Sequence, residues 1–204
     1  MKLLRKLYDW VLSWANSPYG SLALAIIAFA ESSFFPIPPD ALLIALALGN
    51  RKKSFYYAFI CGTFSVVGGF FGYAIGYYAW WNLDGSFSSL AYFFFNNIPG
   101  FNQASFYKVK ALYDEYNFFI IFTAGFTPIP YKIFTISAGA FAINAFLFGL
   151  ASIIGRAARF FLVAFLLWKF GESIKAFIDK YFDLLAVAFT VLLIGGFIAV
   201  KYVF

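Results

Sequence analysis

The stretch ESSFFPIPPD, Glu31 to Asp40, sets three prolines between two acids in the middle of an apolar run. Proline lacks the amide donor that a helix requires and drives the preceding residue out of the helical region. A helix entering from Ser21 must therefore stop here, and a second must start near Asp40. The same device recurs as FTPIPYK, Phe126 to Lys132, where Phe34, Pro36, Ile37 and Pro38 map onto Phe126, Pro128, Ile129 and Pro130, each 92 positions on. A constant offset of this kind reads as an internal duplication. The predicted breaks are Pro36, Pro38 and Pro39 in one copy and Pro128 and Pro130 in the other.

Composition says which solvent surrounds these breaks. The 204 residues are 63% hydrophobic, 25% aromatic and only 12% charged, where an ordinary soluble domain carries about 25% charged. Apolar stretches run from Ser21 to Gly49, Phe55 to Leu83, Phe118 to Gly171 and Leu184 to Val200. Several exceed the roughly 18 residues of a membrane-crossing helix. The expected fold is one all-α polytopic membrane domain over 1–204. Its parts are an interfacial helix at 1–17, a proline-broken hairpin at 21–49 and a spanning helix at 55–83. A polar connection with a surface helix follows at 84–117, then a second broken hairpin at 118–144 and spanning helices at 145–170 and 184–203. The abundant aromatics, Trp80 and Trp81 among them, are expected to form lipid-facing bulk and interfacial belts.

At 1.5 Å per residue the arm before Pro36 reaches about 22 Å and the arm after Asp40 about 15 Å. The hydrocarbon core is about 30 Å thick, so neither arm crosses alone. A single kinked crossing and a re-entrant hairpin both fit that length. Charge favours the hairpin: Lys2, Arg5 and Lys6 precede the segment and Arg51, Lys52 and Lys53 follow it. The positive-inside rule puts both groups in the cytoplasm only if the chain turns back. One spanning helix between the two copies would then invert the second relative to the first, as in secondary transporters whose broken helices meet near the midplane. The expected location is the inner (plasma) membrane, multi-pass, with the N-terminus cytoplasmic.

The start, KLLRKLYDWVLSW, puts Lys2, Arg5, Lys6 and Asp9 on one helical face and Leu4, Leu7, Val11 and Trp14 on the other. It reads as a headgroup-layer helix rather than the unbroken apolar core of a cleavable signal. The formal charge of +6 comes in short groups beside apolar segments, which fits topology and not nucleic acid. With one cysteine, Cys61, and no histidine, metal, redox and histidine-dependent chemistry are poor expectations, and no cofactor is expected. No GxxxxGK[ST] loop is present, so ATP is not the expected energy source. Cys61 is expected to pack.

Ionisable residues inside apolar runs are costly unless they face protein, water or a partner, and so they mark candidate sites. Glu31 lies within LALAIIAFAESS, and Arg156 and Arg159 lie within the run from Ala145 to Phe170. Ser152, Arg156 and Arg159 follow the i, i+4, i+7 rule of one helical face. Arginine forks match phosphate oxygens in pairs, so Arg156 and Arg159, with Lys132, are the expected binding groups for an anionic, phosphate-bearing lipid. Glu31 and Asp40 are the expected proton- or ion-coupling groups. A purely structural Arg–Glu31 or Arg–Asp40 ion pair is the alternative. The repeat also carries Asp40 onto Lys132, so those two tips are candidates to pair across the axis. Gly68, Gly72 and Gly76, with Gly62, Ser65 and Gly69 close by, form a smooth stripe for helix packing.

These residues resemble a known family. ESSFFPIPPD is similar to the first-hairpin motif of the DedA superfamily of bacterial membrane proteins, also called the VTT or SNARE-associated family, with Glu31 and Asp40 at its two acidic positions. AGFTPIPYKIFTISAGAF resembles the second-hairpin motif, ending in the Ala-Gly pair at Ala138 and Gly139. The resemblance implies two re-entrant hairpins meeting in the membrane, lipid flipping or scrambling with undecaprenyl phosphate or a phospholipid as substrate, and proton or sodium coupling. The main branch carries two arginines around the second proline break. Gly125 and Tyr131 stand there in this chain, with Lys132 one place along, a pattern similar to the smaller YqaA-like branch. Two alternatives stay beside the lipid transporter: an ion-coupled carrier of small ions or drug cations, and a structural or assembly protein. A homo-oligomer is compatible with any of them, and an enzyme is not expected.

Overall fold

The computed structural model describes residues 14, 17–34, 38–97, 102–127, 129–171 and 173. Among them the fold is all helical. The elements are α1 (Gly20–Ser33), α2 (Asp40–Gly49), a 3-10 turn (Arg51–Lys53), α3 (Ser54–Trp80), α4 (Ser89–Asn97), α5 (Gln103–Phe126), α6 (Tyr131–Ala140) and α7 (Ala145–Gly171). Two helices are long and apolar enough to cross a membrane, α7 and Arg51–Trp80. The expected interfacial helix at 1–17 falls almost wholly outside the described residues, as do Pro36, Pro128 and the expected crossing at 184–203.

Proline sets the helix boundaries. Pro39 precedes α2 with φ −69° and Pro130 precedes α6 with φ −59°, a torsion already suited to a helix start. Pro39 offers its carbonyl to the Leu43 amide at 2.9 Å and Pro130 offers its own to Ile133 at 3.2 Å. Elsewhere side chains cap the ends. Asn102 Oδ1 accepts from the Ser105 amide, and Asn144 Oδ1 accepts from the amides of Phe146 and Leu147, at 2.9 to 3.0 Å.

The far ends of the helices that flank each break lie in contact. The Leu46 side chain, near the end of α2, lies against Gly20 at the start of α1. In the second copy Phe141, just past α6, packs its ring on Tyr113 and Phe106 of α5, both centroids at 4.9 Å. Helix α5 is kinked at Tyr116, whose φ/ψ of −110°/20° is non-helical. This point falls one residue from the expected join at 117/118 between surface helix and hairpin.

The two long helices run antiparallel, from Phe55 to Tyr73 of α3 against Trp168 to Phe148 of α7. Phe55 meets Trp168 with ring centroids 6.0 Å apart, Phe160 lies at Gly62, and Phe70 packs on Phe148 at 5.3 Å. Helices α1 and α6 both dock on α3 through glycine. Gly68 faces the Phe29 backbone, Gly76 faces the Ile136 carbonyl, and Gly139 of α6 faces the Tyr73 carbonyl so closely that any Cβ would collide with backbone. The predicted glycine stripe therefore serves packing, with one helix on its first half and another on its second.

The interior divides into two apolar clusters. One joins α1, α2, the start of α3 and the end of α7 around Leu24, Leu42, Leu43, Cys61 and Phe160. The other joins α5, α6 and the start of α7 around Phe106, Ile121, Tyr131, Phe141 and Phe148. Cys61 packs in the first cluster as expected. Trp80 and Trp81 depart from the expected lipid belt. Trp80 stacks on Phe106 with centroids 5.6 Å apart, and Trp81 stacks on Phe87 at 4.7 Å while its indole N–H donates to the Ala140 carbonyl at 2.8 Å. The reason is the connection at 84–97, which folds over the end of α3 and brings its own aromatics to these rings.

Candidate functional site

The charged residues of the long apolar segments meet where the two clusters join. Arg156 is buried and projects from α7 with its guanidinium between two rings, 4.6 Å from the centroid of Tyr131 and 4.8 Å from that of Phe160. One ring belongs to each cluster, so the cation sits on the seam. Such contacts favour a desolvated cation and fix the plane of the fork.

Around the edge of that plane, Nη2 donates to Glu31 Oε2 at 2.7 Å and to Ser32 Oγ at 3.0 Å, and Nε donates to Ser65 Oγ. The two serine hydroxyls are 2.6 Å apart.

One turn along α7, Arg159 makes a forked contact with Asp40. Nη2 lies 2.9 Å from both carboxylate oxygens and Nε lies 3.3 Å from Oδ1, while Nη1 donates to the Thr127 carbonyl. Local structure explains the fit. Thr127 caps the C-terminal end of α5, where carbonyls point outward without helical partners and a cation is welcome, and Asp40 stands in the first turn of α2, where an anion is welcome. The side chains of this pair are 16% and 23% exposed, against 3% and 12% for Arg156 and Glu31, so the Arg159 pair is the outer one. Two cations face two anions, and each carboxylate offsets the desolvation of its arginine.

Hydroxyls tie the end of α1, at the first break, to its neighbours. Thr135 of α6 donates to the Ser32 carbonyl at 3.0 Å, and Ser33 donates to the Gly68 carbonyl at 2.9 Å. The Tyr131 hydroxyl donates to Ser152, one turn before Arg156. Gly125 leaves the α5 backbone close to Gly155 and Arg156 of α7. Gly125 and Tyr131 thus both lie against α7 at Arg156.

The structure brings together four of the five charged residues picked from sequence: Glu31, Asp40, Arg156 and Arg159. Lys132, half-buried in the first turn of α6, is not the partner of Asp40 that the repeat suggested. That carboxylate is held by Arg159 of α7. Ser32, Ser65, Tyr131 and the Thr127 carbonyl were not foreseen in the site. Ser65 was visible only as a small residue in a packing stripe, and nothing in the sequence marks a carbonyl as an arginine's acceptor.

Fold and site together define an all-helical protein with two helices fit to cross a membrane and a buried, charge-balanced cluster beside two helix breaks. An uncharacterized protein of Haemophilus influenzae is 32% identical over 201 residues, covering 98% of this chain and all of the relative. An uncharacterized protein of Histophilus somni matches with the same identity and coverage. The chain belongs to the family of these proteins. No family model matches it, and no solved structure does.

Proposed function

We propose that the protein is a secondary transporter of the DedA/VTT kind, multi-pass in the inner membrane, that moves an anionic phosphate-bearing lipid across the bilayer, with Glu31 and Asp40 coupling the movement to protons or sodium. The observation that carries this reading is the state of Arg156: buried, held against two rings and paired to Glu31. An uncompensated guanidinium at such depth is costly, and a site that alternates between its own carboxylate and an incoming phosphate keeps the charge matched throughout. Arginine suits the exchange because the same fork accepts either anion.

Several features support the membrane frame. The outward faces of α3 and α7 carry Phe59, Phe64, Phe71, Ile153, Leu162 and Phe165, all exposed, a surface too apolar for water. The arms of the first break, α1 at 14 residues and α2 at 10, are each too short to cross, which favours a re-entrant hairpin. The antiparallel setting of α3 and α7, each following a broken pair, fits an inverted repeat.

The test is lipid movement in proteoliposomes. An Arg156→Ala, Arg159→Ala double variant should lose transport of an anionic phospholipid to the level of empty vesicles, and undiminished movement would sink the assignment. Two carboxylates, Glu31 and Asp40, stand in the same cluster, which supports a second reading: a small cation held by the carboxylates. Loss of activity in Glu31→Gln with indifference to Arg156→Ala would favour that version.

A further inference from the structure

Arg156 and Arg159 lie one turn apart on one face, yet their surroundings give them different work. Every nitrogen of the Arg159 guanidinium is engaged, Nε and Nη2 on Asp40 and Nη1 on the Thr127 carbonyl. Its two partners stand on either side of the site, Asp40 at the start of α2 and Thr127 at the end of α5. A group so saturated has little to offer a ligand. It joins the first helix break to the second across the more exposed end of the charge cluster.

We propose that Arg159 is a positioning residue, a latch that ties α2 to the end of α5 and closes the site over the Arg156–Glu31 pair. This rests on the transport reading and supplies its regulation: the latch must open before an anion reaches Arg156. Anion binding then falls to Arg156, and Arg159 governs access.

The chain carries its own reporter. Cys61 is its single cysteine, fully buried against α2 and α7 in the cluster with Leu42, Leu43 and Phe160. Leu42 and Leu43 of α2 belong to the cluster that buries the thiol, and the latch holds the first turn of α2. Release of the latch frees α2 to move and exposes Cys61, whether or not any lipid is present.

The experiment is the rate of Cys61 labelling by a membrane-permeant maleimide in the full-length protein, in detergent and in vesicles. Asp40→Asn and Arg159→Gln should each label about tenfold faster than the unaltered protein, since either removes one side of a charge-assisted bridge. The double variant should label no faster than the quicker single variant, because both substitutions break the same contact. Arg159→Lys keeps the charge without the fork that reaches both partners. It should fall between, and it serves if the other variants fail to fold. Labelling at the unaltered rate in the folded variants overturns the latch. So does a double variant whose acceleration is the product of the two singles, which is the sign of independent loosening. The readout needs no transport. Unchanged labelling in a protein that moves anionic lipid faults the latch alone, and a working latch in a protein that moves none faults the transport reading.

Discussion

At the first helix break the chain places Glu31 before the prolines and Asp40 after them; at the second, the equivalent positions hold Thr123 and Lys132. The backbone device is shared and the chemistry is not. The first break supplies both anions of the site, the second supplies a carbonyl, Thr127, and a ring, Tyr131, and both cations come from α7. The proline turn needs only local torsions, so two segments can share it while differing in their charges. The site that results is polar in the literal sense, with carboxylates on one wall and an arginine-supporting surface on the other.

The largest expected effect comes from changing the equivalent residue in each copy. Glu31→Ala leaves Arg156 buried without its counter-charge and should cost about 3 kcal/mol of stability. Thr123→Ala, at an exposed position, should cost less than about 0.5 kcal/mol. Melting midpoints in detergent compare the two directly. Similar losses would mean that the copies carry equal loads after all.

A smaller effect tests the pairing across the breaks. Asp40→Lys should cost about 2 kcal/mol, because Arg159 loses its fork partner and faces a cation. Adding Lys132→Asp should restore little of this, since Arg159 and not Lys132 lies against position 40. Full recovery of the melting midpoint in the exchanged protein would put Lys132 opposite that position and undo the arrangement described.

Sequence carries the breaks and the long helices well, because proline and unbroken apolar length act locally. The predicted 145–170 became Ala145–Gly171, and the predicted 55–83 ended at Trp80. The arginine face was legible from spacing alone, and so was the cost of burying Glu31. What could not be read was partnership. The repeat pointed Asp40 at Lys132 because symmetry relates equivalent positions, whereas the actual partner comes from α7, a helix outside both breaks. Trp80 and Trp81 were unreadable for another reason: an aromatic that faces lipid and one that packs under a folded connection have the same composition and spacing. Ser65 combined both difficulties, a small residue that packs and also accepts from Arg156.

The smallest effect concerns how the helix pair at each break ends. Helix α2 leaves through Asn50 with φ −145°, ordinary extended backbone. Helix α6 leaves through Ala142 with φ 51°, the left-handed region in which a Cβ crowds the following carbonyl. Ala142 is held there by its amide bonding the Gly139 carbonyl at 2.9 Å and the Ile143 amide bonding the Ala138 carbonyl at 3.1 Å. These close the helix end, while Ile143 anchors in the core. Ala142→Gly should therefore stabilise the protein by about 0.5 kcal/mol, the relief of strain exceeding the added freedom of glycine in the unfolded chain. Asn50→Gly has no strain to relieve and should lose about the same amount. Opposite shifts of a degree or two in melting midpoint are the expected result. Shifts of the same sign would show that the two exits are conformationally alike, and that the second copy does not carry the extra strain.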